Sequence, residues 1–387
     1  MIEALQALRF RFFLARGSLG FASTLFETTY RIYLNHAKVI HYRGGKPVYS
    51  LSTPALYTGA AANMLARTIY RSIQNKNLPN MMSLAVNDVC NARCEHCSFF
   101  EGVEDPNRAV MTSAQMRKVV HDAQDLGISV LNFVGGEPLL RKDLPEIIRA
   151  VDRDRTTTIV FTNGTLLAER AASLRKAGLD SIYVSLDSAD PDTNDRFRGR
   201  AGLFREAVAG IHRALGLGFS VGISATMTPE SFRRGEMARI IELGKRLGVH
   251  EVLLFDAMPS GRYADRSDLV DDQGWVEDMI QAAVPYNADR SYPGVLVWAY
   301  AAGYRSAGCA CGTSYFYVSP YGDVMSCDFN HAVFGNVLAT PMWQVWEEMT
   351  SREEFREAAW GGCKVKSSRF LETESVKTGM RERSLVS

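Results

Sequence analysis

The stretch Cys90-Asn91-Ala92-Arg93-Cys94-Glu95-His96-Cys97 places three thiols at spacings of four and three residues. It comes shortly after an apolar run, Met82-Ser83-Leu84-Ala85-Val86, which predicts a short strand. A strand that ends in a three-cysteine loop can direct three thiolates at one metal centre. Structural zinc sites and 4Fe–4S clusters usually take four protein ligands, so three ligands leave one metal position open. From this spacing alone, a zinc knuckle or a redox thiol pair remains an alternative.

The composition is typical of a globular protein with a sizeable core, with 46% hydrophobic and 22% charged residues. A length of 387 residues predicts two to three domains, or one large α/β barrel with additions. The seven cysteines do not fit a secreted disulfide framework, and their clustering favours metal sites in a reducing compartment. No secretory signal is expected, because Arg9, Arg11 and Arg16 interrupt the first apolar region. We therefore expect a cytoplasmic location.

Beyond the cysteine loop, short apolar runs alternate with amphipathic helical stretches. The predicted strands are 82–86, 128–134, 156–161, 181–186, 219–226 and 250–256, with helices near 113–126, 144–152, 166–177, 203–217 and 232–247. Strands that alternate with helices predict a parallel sheet. Six such units predict a partial (β/α)6 barrel of the TIM type rather than the closed eight-unit form. The functional site is then expected at the carboxyl ends of the strands, where the cysteine loop lies.

The periodicity weakens after about residue 265, which predicts a domain boundary. We expect four regions: a basic, mostly helical N-terminal extension at 1–80, the partial barrel at 81–265, a linker with a small α+β C-terminal domain at 266–371, and a polar tail at 372–387.

The N-terminal extension has two interpretations. Ile2, Leu5, Leu8 and Phe12 recur at helical spacing, and a second helix is predicted at 60–74. Residues 1–89 carry ten Lys and Arg against three acidic residues, a net charge of +7. The extension is either a cap with a solvated basic face or an amphipathic contact with a membrane surface or an anionic ligand.

Glycines and small polar residues end the later predicted strands. The second strand ends in Gly135-Gly136-Glu137-Pro138, the third in Thr162-Asn163-Gly164 and the fourth in Ser185-Leu186-Asp187, with Arg198 eleven residues further on. Glycines at a strand end let the backbone approach a ligand closely. Together with the Cys-x3-Cys-x2-Cys loop, this order of motifs resembles the radical S-adenosylmethionine (SAM) superfamily, including its GGEP motif.

The resemblance implies a 4Fe–4S cluster held by Cys90, Cys94 and Cys97, with SAM chelating the open iron. It implies that an external electron drives cleavage of SAM to methionine and a 5′-deoxyadenosyl radical, which abstracts hydrogen from an unactivated C–H bond. The residues that it places around SAM are Gly135, Gly136, Glu137, Thr162, Asn163, Ser185, Asp187, Arg198 and His96. His96 stands where the family often has an aromatic residue, and an imidazole could stack on adenine likewise or titrate. No side chain is assigned a catalytic role.

Four cysteines remain, at positions 309, 311, 327 and 363. Residues 315–318 followed by Pro320-Tyr321-Gly322-Asp323 predict a β-hairpin that brings Cys311 and Cys327 together. This region resembles the opening half of a SPASM domain, shortened as in the Twitch form, because the later paired cysteines are absent. The resemblance implies one auxiliary 4Fe–4S cluster on Cys309, Cys311, Cys327 and Cys363. The alternative is that one or two of them are free buried thiols.

The basic, aromatic-rich extension favours a sizeable amphipathic or anionic metabolite as substrate, such as a lipid, an isoprenoid or a tetrapyrrole, in a biosynthetic pathway. A maturase acting on a ribosomally made peptide or protein is the alternative. An iron–sulfur electron carrier is a remote one, since it would not need the strand-end motifs. The expected partners are an external electron donor such as flavodoxin or ferredoxin and, through residues 1–80, the inner face of the membrane. No nucleic acid partner is expected.

Overall fold

The computed structural model describes residues 36, 38–100, 103–270, 274–302, 308–356 and 363–371. Its strands are β1 (His41–Arg43), β2 (Lys46–Val48), β3 (Met81–Ala85), β4 (Val130–Val134), β5 (Thr157–Thr162), β6 (Ser181–Ser185), β7 (Ser220–Met227), β8 (Glu251–Asp256), β9 (Gly294–Val297), β10 (Tyr315–Val318), β11 (Asp323–Cys327) and β12 (Asn330–Asn336). Its α-helices are α1 (Gly59–Gln74), α2 (Ser113–Leu126), α3 (Leu144–Arg149), α4 (Leu167–Ala177), α5 (Pro191–Arg198), α6 (Leu203–Gly216), α7 (Pro229–Arg233), α8 (Glu236–Leu247), α9 (Gly274–Ala288), α10 (Trp298–Ala302), α11 (Met342–Ser351), α12 (Glu353–Arg356) and α13 (Ser368–Leu371).

Strands β3 to β12 form one continuous sheet in the order β12-β11-β10-β3-β4-β5-β6-β7-β8-β9. The pairs from β3 to β9 are all parallel, and β10 also runs parallel to β3, with Tyr315 opposite Met81. Strands β11 and β12 continue the sheet antiparallel. The C-terminal cysteine region is therefore hydrogen-bonded to the strand that leads into the first cysteine loop.

The predicted partial barrel is confirmed, and two strands beyond the predicted six extend its parallel part. One is β9, a four-residue strand that pairs with β8. The other is β10, the first strand of the predicted C-terminal hairpin, which also pairs with β3. The sequence of β10 predicts a strand, but it does not show that β10 pairs with β3 as well as with β11. Strand β3 lies more than two hundred residues earlier in the chain.

The helices follow local signals and cover the outer face of the sheet. Helix α2 begins with a capping box, in which Thr112 accepts from the Gln115 backbone N–H and Gln115 accepts from the Thr112 N–H at 2.8 Å. Its C-cap residue is Gly127, whose left-handed φ of 106° suits a glycine. Its buried face consists of Met116, Val119, Val120, Ala123 and Gln124. Packing of this kind leaves the carboxyl ends of the strands free for a site.

A buried carboxylate near the amino ends of the strands fixes the segment that precedes α1. Glu251 accepts hydrogen bonds from the Leu51 N–H at 2.7 Å, the Ser50 hydroxyl at 2.7 Å and the Tyr183 hydroxyl at 2.5 Å, and it lies 2.5 Å from His36 Nε2. The sequence analysis gave no role to these residues. They join the N-terminal segment to β6 and β8, so this part of the chain is built into the barrel.

Only part of the N-terminal extension can be compared with its prediction. The helix predicted at 60–74 is α1, and a turn at Gly44-Gly45 connects the hairpin strands β1 and β2. The helical spacing of Ile2 to Phe12 and the polar tail at 372–387 lie outside the described residues. Within the described part of the chain, no helix combines the length and the apolar character needed to cross a lipid bilayer.

Candidate functional site

The first cysteine loop opens onto a cavity of about 230 Å³ at the carboxyl ends of the strands. Cys90, Cys94 and Cys97 all line this cavity, so the loop places the three thiols around one space. The other predicted site residues in the wall are Gly135, Gly136, Glu137, Thr162, Asn163, Arg198 and His96, together with Ser185. The structure thus brings together residues from four successive strand ends.

The two positions after β4 need glycine, because the segment that enters the cysteine loop passes too close to them for a side chain. A Cβ atom on Gly136 would lie 2.1 Å from the Val89 carbonyl oxygen. Gly135 has a φ of +138°, and a Cβ atom there would lie 2.7 Å from the Asn87 carbonyl oxygen. The sequence predicted that the backbone at these glycines approaches a ligand. In the structure, this backbone approaches residues 87–89. It holds the cysteine loop against the end of β4.

Glu137 joins two strand ends through its buried carboxylate. The carboxylate accepts from the Thr162 hydroxyl at 2.6 Å, the Asn163 N–H at 2.7 Å and the Leu139 N–H at 3.0 Å. Burial raises the pKa of this carboxyl group, while these three donors oppose that rise. The Glu137 carboxylate is thus satisfied within the protein, where it connects the end of β4 to the end of β5.

Asp187 and Arg198 form a buried ion pair beside Cys94. Arg198 Nη2 lies 2.7 Å from Asp187 Oδ2, and Arg198 Nη1 lies 3.7 Å from Cys94 Sγ. Asp187 also accepts from the Thr226 N–H at 2.7 Å. The predicted arginine is therefore next to the first cysteine loop, held by the predicted aspartate. Its guanidinium can supply hydrogen bonds to an anionic group in the cavity.

His96 is stacked on Phe197, with ring centroids 4.9 Å apart and an interplanar angle of 16°. Its Nε2 lies 3.8 Å from Asp187 Oδ2. Burial lowers the pKa of His96 to about 4, so the imidazole is neutral near pH 7. The low pKa of His96 argues against a titrating role near pH 7, and stacking on adenine stays a prediction.

Arg262 belongs to the segment 258–262 after the sixth predicted strand, where the family resemblance implies adenine packing or closure of the site, although Arg262 was not among the predicted site residues. Its Nη1 donates to the Cys94 carbonyl at 2.9 Å, and its backbone N–H donates to the Cys97 carbonyl at 3.0 Å. The preceding Gly261 has a φ of +58°, and a Cβ atom there would lie 2.2 Å from the Cys97 carbonyl oxygen. The segment after β8 therefore fixes the shape of the cysteine loop. Its only sequence signal was its place after the sixth predicted strand.

Two thiols of the first loop, Cys90 and Cys94, are protonated near pH 7 unless a cation binds them. Burial raises the pKa of Cys90 to about 11 and that of Cys94 to about 12. The Asn163 amide lies 3.9 Å from Cys90 Sγ, and Arg198 faces Cys94. Three soft ligands around one cavity, with hydrogen-bond donors toward two of the sulfurs, fit an iron–sulfur cluster with an open position.

The four remaining cysteines form a second group of thiols. Cys309 shares side-chain hydrogen bonds with Cys311 and Cys363, and Cys311 also interacts with Cys327. Those contacts lower the pKa of Cys309 and raise the pKa of Cys311 and Cys363. Strand β10 pairs with β11, which ends at Cys327, and Cys311 lies four residues before β10, within side-chain hydrogen-bond reach of Cys327. The described thiols thus provide the number and kind of ligands that one auxiliary 4Fe–4S cluster needs.

A larger cavity of about 340 Å³ extends from this second group of thiols to the first cysteine loop. All four C-terminal cysteines line it, and so do Ser98 and Phe99, which follow Cys97. Its walls are mostly apolar, with the aromatic side chains Phe99, Phe161, Phe255, Trp298, Tyr315, Tyr317 and Phe329. It shares walls with the smaller cavity through Ser98, Phe99, Val134, Gly135, Phe161, Phe255 and Phe329.

A polar chain crosses the wall of this larger cavity. Asn132 donates to the Ser83 hydroxyl at 3.3 Å, Ser83 and Tyr315 share a hydrogen bond of 2.6 Å, and the Tyr315 hydroxyl donates to Asp328. Burial raises the pKa of Asp328 to about 6. The cavity therefore combines large apolar surfaces with a few placed polar groups, which is typical of sites for small molecules.

Comparisons with known proteins agree with this geometry. The radical SAM superfamily matches residues 84–243, and the SPASM iron–sulfur cluster-binding domain matches residues 309–367. An AdoMet-dependent heme synthase of Methanosarcina barkeri is 28% identical over 293 residues, which cover 70% of this chain and 83% of that protein. A Fe-coproporphyrin III synthase of the same organism is 31% identical over 175 residues, 45% of this chain and 43% of that protein.

Among solved structures, Streptococcus suis SuiB bound to S-adenosylmethionine superposes with a TM-score of 0.61 at 15% identity, covering 82% of this chain and 79% of that one. At this identity the likeness concerns the fold. The two family matches assign a SAM-binding 4Fe–4S cluster to the barrel and an auxiliary iron–sulfur cluster to the C-terminal region. The chain is a radical SAM superfamily enzyme whose partial barrel is followed by a SPASM-type cluster domain.

Proposed function

We propose that this enzyme abstracts hydrogen from an unactivated C–H bond of a carboxylate-bearing tetrapyrrole. The observation that carries the proposal is the aromatic-lined cavity that reaches from the first cysteine loop to the four C-terminal cysteines. Flat, largely apolar macrocycles with acidic side chains suit such walls. The alignment with a heme synthase over 83% of that protein supports the same substrate class.

The residues in and beside the smaller cavity would hold the first cluster and SAM. Cys90, Cys94 and Cys97 are the proposed cluster ligands, and the proposed SAM contacts are Gly135, Gly136, Glu137, Thr162, Asn163, Ser185, Asp187, Arg198 and His96. When bound, the cluster and SAM would supply the reductive cleavage of SAM and the hydrogen abstraction that follows from it. The protein's own residues would place the substrate beside SAM, because Phe99, Phe161 and Phe255 belong to the walls of both cavities.

The second group of thiols would hold the auxiliary cluster next to the substrate. Cys309, Cys311, Cys327 and Cys363 are its proposed ligands, and all four reach the larger cavity. An external one-electron donor such as flavodoxin or ferredoxin would reduce the first cluster. A peripheral contact of residues 1–80 with the inner face of the membrane stays a proposal. Liposome co-sedimentation of the full chain, compared with protein-free and neutral-lipid controls, tests it.

The substrate is tested with anaerobically reconstituted enzyme, reductant and SAM, with and without iron coproporphyrin III. We expect 5′-deoxyadenosine above the Cys94→Ala background, faster release when the porphyrin is present, and a mass change in the porphyrin. The tetrapyrrole proposal would be overturned if the porphyrin does not accelerate the release of 5′-deoxyadenosine and its own mass does not change. The radical SAM class would stand in that case, and a ribosomally made peptide would become the next substrate to test.

A further inference from the structure

One basic side chain faces the larger cavity from outside the barrel. Helix α1 contributes Met64, Thr68 and Arg71 to the cavity wall. These positions are four and three residues apart, so they lie on one face of the helix. Arg71 is the one Lys, Arg or His among the described residues of this wall, and Asp328 is the one carboxylate.

The position of α1 beside the cavity is fixed by hydrogen bonds of its other side chains. Arg67 donates from Nε to the Pro79 carbonyl at 3.1 Å and from Nη2 to the Leu126 carbonyl at 2.9 Å. Thr68 accepts from the Asn80 amide at 3.1 Å, immediately before β3. These hydrogen bonds attach α1 to the barrel. They also fix its orientation, with Met64, Thr68 and Arg71 toward the larger cavity.

Arg71 differs from its neighbour Arg67 in the hydrogen bonds that it makes with the described residues. Both guanidinium groups are partly buried, and burial lowers the pKa of each. Arg67 is compensated by two carbonyl oxygens, whereas Arg71 has no ion pair and no hydrogen-bond acceptor among the residues that the structure describes. Arg71 is only partly buried, so water can still solvate part of its charge, but its guanidinium lines a mostly apolar cavity and is free of acceptors there among the described residues. A carboxylate of a ligand in that cavity would therefore find Arg71 available as its counter-ion.

We propose that Arg71 binds a carboxylate of the substrate and thereby sets which end of it faces α1. This inference rests on the proposed function and deepens it: the acidic side chains of a tetrapyrrole are carboxylates. A guanidinium matches a carboxylate with two parallel hydrogen bonds, which gives orientation as well as affinity. The apolar walls position the macrocycle, and Arg71 makes the enzyme selective for the free acid over a neutral analogue.

The test compares two forms of one probe, iron coproporphyrin III and its tetramethyl ester, presented to the reconstituted holoenzyme in the same detergent. Dissociation constants are measured by anaerobic equilibrium dialysis for the wild type, Arg71→Gln and Arg71→Lys. The control variant is Lys76→Gln, which removes a charge from an exposed residue five positions further on. Iron content and 5′-deoxyadenosine release without porphyrin show that each variant carries its clusters.

We expect the wild type to bind the acid about ten- to hundredfold more tightly than the ester, as one charge-assisted carboxylate contact suggests. Arg71→Gln should lose most of that preference, Arg71→Lys should keep part of it, and Lys76→Gln should keep all of it. A wild type that binds both forms equally, or an Arg71→Gln variant with the wild-type preference, overturns the inference and leaves the tetrapyrrole substrate in place. A wild type that binds neither form overturns both.

Discussion

Lys366 Nζ lies 2.5 Å from Asp256 Oδ2, and the two side chains are 0% and 1% exposed. Asp256 ends strand β8 and lines the smaller cavity, whereas Lys366 comes three residues after Cys363. This ion pair therefore connects the C-terminal cysteine segment to the mouth of the barrel. Among the described residues, Lys366 is the one polar partner of the Asp256 carboxylate.

Lys366→Met should strongly destabilise the protein, because it leaves Asp256 as a buried charge without a counter-ion. We expect a loss of about 3–5 kcal/mol in the free energy of unfolding, and the double variant with Asp256→Leu should recover most of it. Anaerobic denaturant unfolding measures both. The control is Lys118→Met, which breaks an equally short ion pair whose lysine is 69% exposed and should cost less than about 1 kcal/mol. Equal losses for the two single variants would contradict this assignment.

The two groups of cysteines should be separable by iron content. The wild type should carry about eight irons per chain, and Cys94→Ala and Cys311→Ala should each carry about four. Only Cys94→Ala should lose all release of 5′-deoxyadenosine, since the SAM-binding cluster belongs to the barrel. Iron and sulfide assays with electron paramagnetic resonance spectra check this. A wild type with about four irons would show that one group of thiols holds no cluster.

Gly136→Ala should disturb the first cysteine loop, because the added Cβ would lie 2.1 Å from the Val89 carbonyl oxygen. Either the segment around Val89 or the end of β4 must move. We expect loss of most of the iron of the first cluster and at least a tenfold slower release of 5′-deoxyadenosine. The matched control is Gly216→Ala at the end of α6, where a Cβ would meet no atom within 4 Å. Wild-type activity in Gly136→Ala would show that the loop accommodates the methyl group.

Stability should fall as the pH is lowered from 7.5 to 5.5, in part because of His41. Its pKa is lowered to about 4 by burial, by His250 at a ring distance of 4.0 Å and by nearby arginines. The unfolded chain then takes up a proton near pH 6.5 while the folded protein does not, so acid favours unfolding. His41→Phe keeps an aromatic ring and removes this proton uptake. Its denaturation midpoint should therefore depend less on pH than that of the wild type, and an unchanged dependence would exclude His41.

The barrel and the first cysteine loop were predictable because their signals are local. Six strands, the spacing of Cys90, Cys94 and Cys97, and the Gly135-Gly136 turn are each contained within a few residues. The thiols of Cys311 and Cys327 were also predictable, since one hairpin connects them.

The rest depends on contacts between distant parts of the chain. Glu137 resembles a ligand residue in the sequence, but its carboxylate is satisfied by Thr162 and the Asn163 backbone. Arg262 supports the cysteine loop from 165 residues away or more. Arg71 is one of ten basic residues in a region whose net charge suggests only a general affinity for anions. Tertiary packing, and not composition, distinguishes it from Arg67.

Strand β10 has a consequence for how such an enzyme can be divided. It covers the outer side of β3, which would otherwise be an unpaired edge next to the first cysteine loop. Exposed edges invite pairing with other chains. The C-terminal cluster region is therefore not a detachable module: a fragment that stops before β10 should aggregate even though it retains every residue proposed to bind SAM.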